Sequence, residues 1–381
     1  MKISTSDVFA LSLIFILFFL KLLPHKDVFA QTFDFTKAEE VYYKSHYSPQ
    51  IENRQLFMDD HLLYPFAGIS YLTQGTLDSI NVEHPPLVKY LFALTYFVFG
   101  NPTLLQPFLG LILLFCLYFI SKKALSSSLL AFIPPIALVF EELFLIQSTH
   151  SLLDLFQTTA ILLFILFAIL LKPSLKKQII LGVILGVVAG SKFPTAAFIL
   201  FGSYFGYRLV WEKKETIKDV CVTGLAALLI YSSLYIPLLL STGIQGVVSV
   251  HLQALKIHLS HLPHYPPLVP LKVMFLNQWP VWFDEQNPIH HLIEWNILWP
   301  LAALALLLSP LVFWKTAKKS KEVTLILLFS LLYFVFINTR LFFPHYLFPI
   351  LGFCYLILIW EVQFSIKWLK KLHIFRALSR K

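Results

Sequence analysis

Charge is scarce in this 381-residue chain, where Asp, Glu, Lys and Arg together make up only 13% of the residues. A water-soluble domain carries about a quarter, so that class is excluded at the outset. Cysteine is equally rare, at three residues. Cys116, Cys221 and Cys354 stand far apart inside apolar runs, which excludes a disulfide framework or a zinc ribbon and leaves packing as their role. The sequence has no HExxH-like ligand spacing, no internal repeat and no stretch polar enough for an appended soluble domain.

What fills the chain instead is apolar: 57% hydrophobic residues and a mean hydropathy of +0.73. A hydrocarbon core of ~30 Å needs about 20 apolar residues per helix, and such runs recur from end to end. Outer-membrane strands would alternate polar and apolar residues, so the runs are helical. The pattern predicts an all-α integral membrane protein with about ten transmembrane helices. They fall near 8–23, 103–121, 126–144, 152–171, 177–192, 194–210, 220–240, 297–314, 322–338 and 343–360. Residues 1–381 form one membrane domain, with a first outer loop at 24–102 and a second at 241–296 that caps it.

Orientation follows from the basic clusters at Lys122-Lys123, Lys172 to Lys177, Arg208 to Lys218, Lys315 to Lys321 and Lys367 to Lys381, which all fall on one side of these spans. With Lys2, that side holds 20 of the 30 Lys and Arg and 6 of the 21 acids, or 20 − 6 = +14, which leaves 10 − 15 = −5 opposite. The positive side is cytoplasmic, so both termini are expected there, and the net charge of +9 reports topology rather than a nucleic-acid partner. Twelve of the 13 His then lie outside, which makes the outer face the candidate active face. Val28-Phe29-Ala30 would suit a signal-peptide cleavage site, but the charged stretch Lys21 to Asp27 intervenes and favours an uncleaved anchor.

The first outer loop is too polar around Lys37 to Asp60 to span, and its Tyr42, Tyr43, Tyr47, Phe57, Tyr64, Phe66 and Tyr71 suit helices lying in the interface. Pro86 to Phe99 reads as a short juxtamembrane helix, with a true span as the alternative. Glu141 to Asp154 forms an outer turn, and Gly182, Gly186 and Gly190 recur every fourth residue as a helix-packing stripe. Lys192 ends that helix outside, apart from every cytoplasmic basic cluster.

Asp59-Asp60 is the sharpest chemical feature: a base for a hydroxyl nucleophile needs an ionised carboxylate, and an adjacent acid can orient it. The plain alternative is a helix N-cap or a solvated acidic loop. Lys89, Lys192 and Arg340 are sparse outer cations of the kind a departing phosphate requires, or else interface anchors. His251, His258, His261 and His264 lack metal-ligand spacing, so a divalent metal is possible but not favoured and no cofactor is obligatory.

Taken in order, these stretches resemble the protein O-mannosyltransferases and their bacterial ArnT-like relatives among the GT-C glycosyltransferases. MDDHLLYPFAGISYLTQG is similar to the family's Asp-Glu loop, with Asp60 in the Glu place, and EHPPLVK (Glu83 to Lys89) to its HPPLGK segment. THSLLD (Thr149 to Asp154) resembles the stretch carrying an Arg and an Asp, with His150 in the Arg place. LGVILGVVAGSKFPT resembles the Gly-rich helix ending in a Lys, here Lys192, and RLFFPHYLFPILGF (Arg340 to Phe353) the closing motif with its His345-Tyr346 pair. His261 to Pro267 and Gln278 to Asp284 are similar to the His-Pro-Tyr and Trp-Pro segments.

The resemblance implies a GT-C fold, Asp59 as catalytic base with Asp60 beside it, and Lys192 on the phosphate of a polyprenyl carrier. Lys89, Arg340 and Asp154 would join the substrate site, with Glu83, His84, His345 and Tyr346 shaping it. It also implies an inverting transfer of a sugar, mannose, to an acceptor hydroxyl on protein Ser or Thr, at the outer face of a bacterial or archaeal plasma membrane. Its partners would be the lipid-linked donor, the acceptor and membrane lipids, with no nucleic acid. A lipid or cell-envelope glycan acceptor is the first alternative. A transporter or flippase is the second, against which the placing of charges at helix ends argues.

Overall fold

The computed structural model describes residues 4–47, 57–125, 127–211, 216–260, 268–281, 287–316 and 321–371. The chain begins with α1 (Thr5–Leu22), which runs through a 3-10 turn into α2 (Lys26–Ala30). Ser4 and Asp7 close a capping box at its start. The buried Asp7 carboxylate also accepts from Tyr118 and Lys122, which ties this first helix to the one at Leu105–Leu125. A buried carboxylate needs such donors, and here they fix where the anchor sits.

Three interfacial helices follow: α3 (Phe35–Tyr43), α4 (Asp60–Gln74) and α5 (Leu87–Phe99). They share a hydrophobic core of their own around Tyr42, Phe66, Leu77 and Phe92. α4 stops at Gly75, whose φ of 72° suits glycine. It crosses α5 so closely that a Cβ on Gly68 would lie 1.9 Å from the Lys89 carbonyl oxygen. At 13 residues, α5 is a short apolar helix beside the bundle, as its sequence suggests.

The bundle contains α6 (Leu105–Leu125), α7 (Ser128–Ala131), α8 (Ile133–Val139), α9 (Glu142–Thr149), α10 (Leu153–Leu170), α11 (Leu175–Ser191), α12 (Pro194–Trp211) and α13 (Thr216–Ser233). Beyond these come α14 (Ile236–Ser260), α15 (Val269–Leu276), α16 (Leu298–Thr316), α17 (Lys321–Ile337) and α18 (Phe348–Lys371). The one strand pair is minimal, with β1 (Trp279–Pro280) antiparallel to β2 (Ile289–His290) among the described residues. Helices stand at all ten expected positions; among the described residues five helices are long and apolar enough to cross a membrane by length and composition alone, and one of these, α14, falls mostly where the sequence predicts a loop. α11 and α17 fall just short, at 17 residues each.

Two expectations need correction. The span at 126–144 is broken: Pro134-Pro135 start α8, and α9 turns away from the α7–α8 segment by 65°. Glu141 sits at that bend, buried, where it accepts from Asn296, Trp299 and Tyr355 instead of facing outer water. The second outer loop does not begin at 241, because α14 continues to Ser260 with a kink at Gly243. Exposed Ile244, Val248, Leu252, Leu255 and Leu259 recur at helical spacing on one face, a period hidden among Ser, Gln and His. Tyr235, Leu238 and Val250 pack into the core of α3–α5, so this helix lies against those three helices.

The glycine stripe serves packing. Cβ atoms on Gly182, Gly186 and Gly190 would meet Ala226, the Ala227 carbonyl and Leu234 at 2.5, 2.7 and 2.3 Å, which places α13 directly against α11.

Candidate active site

α11 ends at Ser191 and α12 begins at Pro194, so the two residues between them are held in a short turn. Lys192 points back at the first turn of α10, where its Nζ donates to both oxygens of Asp154 at 2.9 and 2.8 Å. Both side chains are buried, so each is the other's compensation in a low-dielectric setting.

Phe193, the second turn residue, is the hub of the site. The Lys192 Nζ lies 5.1 Å from its ring centre and the Arg340 guanidinium carbon 4.4 Å. Tyr346 meets the ring edge-on at 5.2 Å, as does His84 at 5.2 Å. Arg340 also stacks on Tyr346 and Phe336, at 5.1 and 5.3 Å. It has no carboxylate partner among the described residues, and its buried Nε has no hydrogen-bond acceptor. An aromatic cage of this kind holds a cation in place without neutralising it.

The two adjacent acids part company. Asp59 is the exposed N-terminal flank of α4, whereas Asp60 turns inward and accepts a hydrogen bond of 2.8 Å from the Tyr64 hydroxyl. Burial pushes the Asp60 carboxyl above its ordinary range, while the Lys192 charge and the Tyr64 hydrogen bond pull it partly back and Glu83 and Asp154 push it up further. Asp60 thus belongs electrostatically to the Lys192 cluster. Asp59 is felt by His61, whereas Tyr47 feels Asp60 and Glu83 ahead of Asp59. His61 in turn faces His150 at 5.2 Å between ring centres.

The connection from α4 to α5 brings Glu83 and His84. Glu83 Oε1 lies 4.0 Å from His84 Nε2 and 3.8 Å from His258 Nδ1 on α14. His84 is buried, its Nδ1 lacks a partner, and burial, followed by Lys192, Lys89, His258 and Arg340, holds the ring well below its ordinary pKa. A cavity of about 320 Å³ opens here, lined by the polar side chains of Glu83, His258 and Arg340 and by the apolar ones of Phe193, Phe198 and Leu255.

The structure gives Lys89 a different position from the one expected of a phosphate ligand. All three directions of its ammonium are taken, by the Tyr71 hydroxyl at 3.1 Å, the Asn81 carbonyl at 2.6 Å and the His84 carbonyl at 2.7 Å. It pins the 75–86 connection from beneath. His345 stacks on Phe343 at 5.5 Å and touches Tyr346, one layer behind the cations. His251 bonds Tyr231 and the Val247 carbonyl on α14, whereas His261, His264 and Asp284 lie outside the described residues. Among the described residues no three His, Cys, Asp or Glu side chains converge as a metal-holding group.

Phe193, Tyr64 and Phe336 are site residues that sequence reasoning passed over. The chain has 37 Phe, and only the neighbours Lys192 and Pro194 distinguish this one.

No protein-family model matches the sequence, and no curated protein matches it either. Solved structures do match in fold. ArnT from Cupriavidus metallidurans bound to undecaprenyl phosphate superposes with a TM-score of 0.57 at 14% identity, over 87% of this chain and 59% of that one. The archaeal oligosaccharyltransferase AglB from Archaeoglobus fulgidus, in complex with an inhibitory peptide and a dolichol-phosphate, gives 0.53 at 14% identity, over 91% and 51%. Apo ArnT gives 0.52 at 14% identity, over 88% and 60%. The chain therefore spans between half and three-fifths of the length of these proteins and has the all-α, integral-membrane fold of the GT-C glycosyltransferases.

Proposed function

We propose that this GT-C-fold membrane protein is an inverting glycosyltransferase that moves a sugar, mannose, from a polyprenyl monophosphate to an acceptor hydroxyl of protein Ser or Thr. The observation that carries the reading is Arg340, which has no carboxylate partner among the described residues, stacks with Lys192 around Phe193 and lines the cavity, while the Asp60 carboxyl lies close enough to feel the Lys192 charge. Cations on one side and a base on the other are what displacement at a phosphate-bearing carbon requires. The mixed lining suits such a donor, with a phosphate at Arg340 and the first prenyl units against Phe198 and Leu255.

In this mechanism Asp60, not Asp59, takes the acceptor proton. Its burial beside Tyr64 raises its basicity, whereas the exposed Asp59 receives the acceptor. The acceptor oxygen attacks the anomeric carbon, the bond from that carbon to the phosphate oxygen breaks, and Arg340 and Lys192 stabilise the charge left on the lipid phosphate. Lys192 answers to two anions, Asp154 at rest and the phosphate during transfer. The lipid phosphate is itself a good leaving group, so neither a nucleotide nor an obligatory metal is required. The active face is the outer face of a bacterial or archaeal plasma membrane, with both termini inside.

The test is transfer of radiolabelled mannose from polyprenyl-phosphate-mannose in membranes carrying the wild-type protein, Asp60→Asn or Asp59→Asn. Label in protein that is lost with Asp60→Asn and retained in part with Asp59→Asn supports the whole reading. Label in lipid or glycan replaces the acceptor. Transfer that survives Asp60→Asn removes it as the base.

A further inference from the structure

We propose that His84 is a proton-coupled ligand of the donor phosphate: neutral in the free protein, its ring takes a proton when a phosphoryl group settles between Lys192 and Arg340, and releases it when the lipid phosphate leaves. This rests on the lipid-phosphate reading and adds to it a third cation that exists only while an anion is bound.

Geometry assigns the role. His84 is only 7% exposed, and its Nδ1 makes no hydrogen bond, a rare condition for a buried ring nitrogen that calls for a ligand. The ring meets the edge of Phe193 at 5.2 Å, the same ring that carries Arg340 at 4.4 Å and Lys192 at 5.1 Å. Every element packed around it contributes a group. α4 brings Tyr64 at 5.9 Å between rings, with Asp60 behind it, and α14 brings His258 at 6.3 Å. The loop itself brings Glu83 at 4.0 Å, α5 brings Lys89, the α11–α12 turn brings Lys192 and the segment after α17 brings Arg340. Burial, and after it the charges of Lys192, Lys89, His258 and Arg340, disfavour an imidazolium until an anion arrives.

The proton balance closes. Donor binding draws one proton from solvent onto His84. During transfer the acceptor hydroxyl gives its proton to Asp60, and the electron pair of the broken carbon–oxygen bond stays on the phosphate, which becomes a monoester with one more negative charge. The His84 proton offsets that charge. Departure of the lipid phosphate returns His84 to its buried, cation-flanked site, and both its proton and the acceptor proton held by Asp60 go to water, which restores the starting state. A permanent third cation would hold the product as firmly as it helps the reaction, and a switchable one does not.

The experiment measures binding of farnesyl methyl phosphodiester, a probe with no titration of its own near neutrality, to the full chain in lipid nanodiscs from pH 7.5 to 5.5. Asp60→Asn serves as the background, so that the raised Asp60 carboxyl cannot supply the pH dependence. If the bound ring returns to an ordinary value near 6.5, affinity should rise about tenfold across this range. The rise should vanish in Asp60→Asn/His84→Gln and persist in Asp60→Asn/His258→Gln. Calorimetry in two buffers of different ionisation enthalpy should show net proton uptake at pH 6.5 in the Asp60→Asn protein, which needs no His84 variant to fold. Flat affinity without proton uptake overturns the role of His84 and leaves the lipid-phosphate reading in place. A pH dependence that follows His258 also overturns it. Failure of the probe to bind at any pH overturns both.

Discussion

Asp154→Asn is the most informative perturbation. In the resting protein both Asp154 oxygens accept from Lys192 Nζ at 2.8 to 2.9 Å, and the two side chains are only 5% and 2% exposed. Removing one partner of a buried pair leaves the other charge uncompensated, which typically costs about 3–5 kcal/mol. The aromatic faces of Phe193 and Tyr346, each 5.1 Å from Nζ, return a little of this, about 1–2 kcal/mol for a desolvated cation. The net loss should then be about 1–4 kcal/mol, read as a lower unfolding midpoint in detergent or nanodiscs. Lys192→Met in the same chain removes the orphaned charge, so the double variant should be more stable than Asp154→Asn alone. The decisive comparison is with undecaprenyl phosphate present: if Lys192 exchanges Asp154 for phosphate, the lipid should raise the midpoint of Asp154→Asn more than that of wild type. Equal stabilisation of the two, or strict additivity of the two substitutions, would refute the exchange.

Three further outcomes follow from the same geometry. Because burial raises the Asp60 carboxyl, the folded chain binds more protons there than the unfolded one. Its contribution to stability is present below the unfolded value near 4 and is lost as pH rises through the folded one, whereas transfer needs the ionised form and should rise over that same interval in a pH–rate profile. Lys89→Met strips the Asn81 and Tyr71 oxygens and the His84 carbonyl of a shared donor, so limited proteolysis should cut within 75–86 faster, and donor KM should rise through misplaced Glu83 and His84. Gly68→Ala drives a Cβ to 1.9 Å from the Lys89 carbonyl, with backbone on both sides and no flexible side chain to yield. It should separate α4 from α5 and abolish the cooperative unfolding transition, whereas Gly75→Ala, in open space with φ of 72°, should lower the midpoint by a few degrees at most.

Where the sequence was misleading, the cause lies in what side chains meet. Pro134-Pro135 is visible in the sequence, but whether a proline pair kinks a span or breaks it depends on what receives the freed groups, and here buried Glu141 gathers Asn296, Trp299 and Tyr355 from two distant helices. α14 reads as loop because Gly243, Gln245 and the His residues dilute a stripe that becomes plain only once its helix lies against α3–α5. Lys89 reads as a free outer cation because no spacing rule reveals that three oxygens of its own loop surround it.

The sequence by itself determined the solvent and the class. Long apolar runs and scarce charge leave no alternative to membrane helices, since backbone satisfaction and hydrocarbon thickness act on each segment independently. It also named the polar residues that matter, because a chain this apolar retains so few of them. Only the tertiary structure decided which of these meet: that Asp60 turns inward and Asp59 outward, that Lys192 rests on Asp154, that Arg340 has no carboxylate partner among the described residues, and that Lys192 and Arg340 share Phe193. Those relations join different elements of the chain, 38 positions apart for Lys192 and Asp154. Their energies depend on distance and burial, which residue identity and spacing along the chain do not encode.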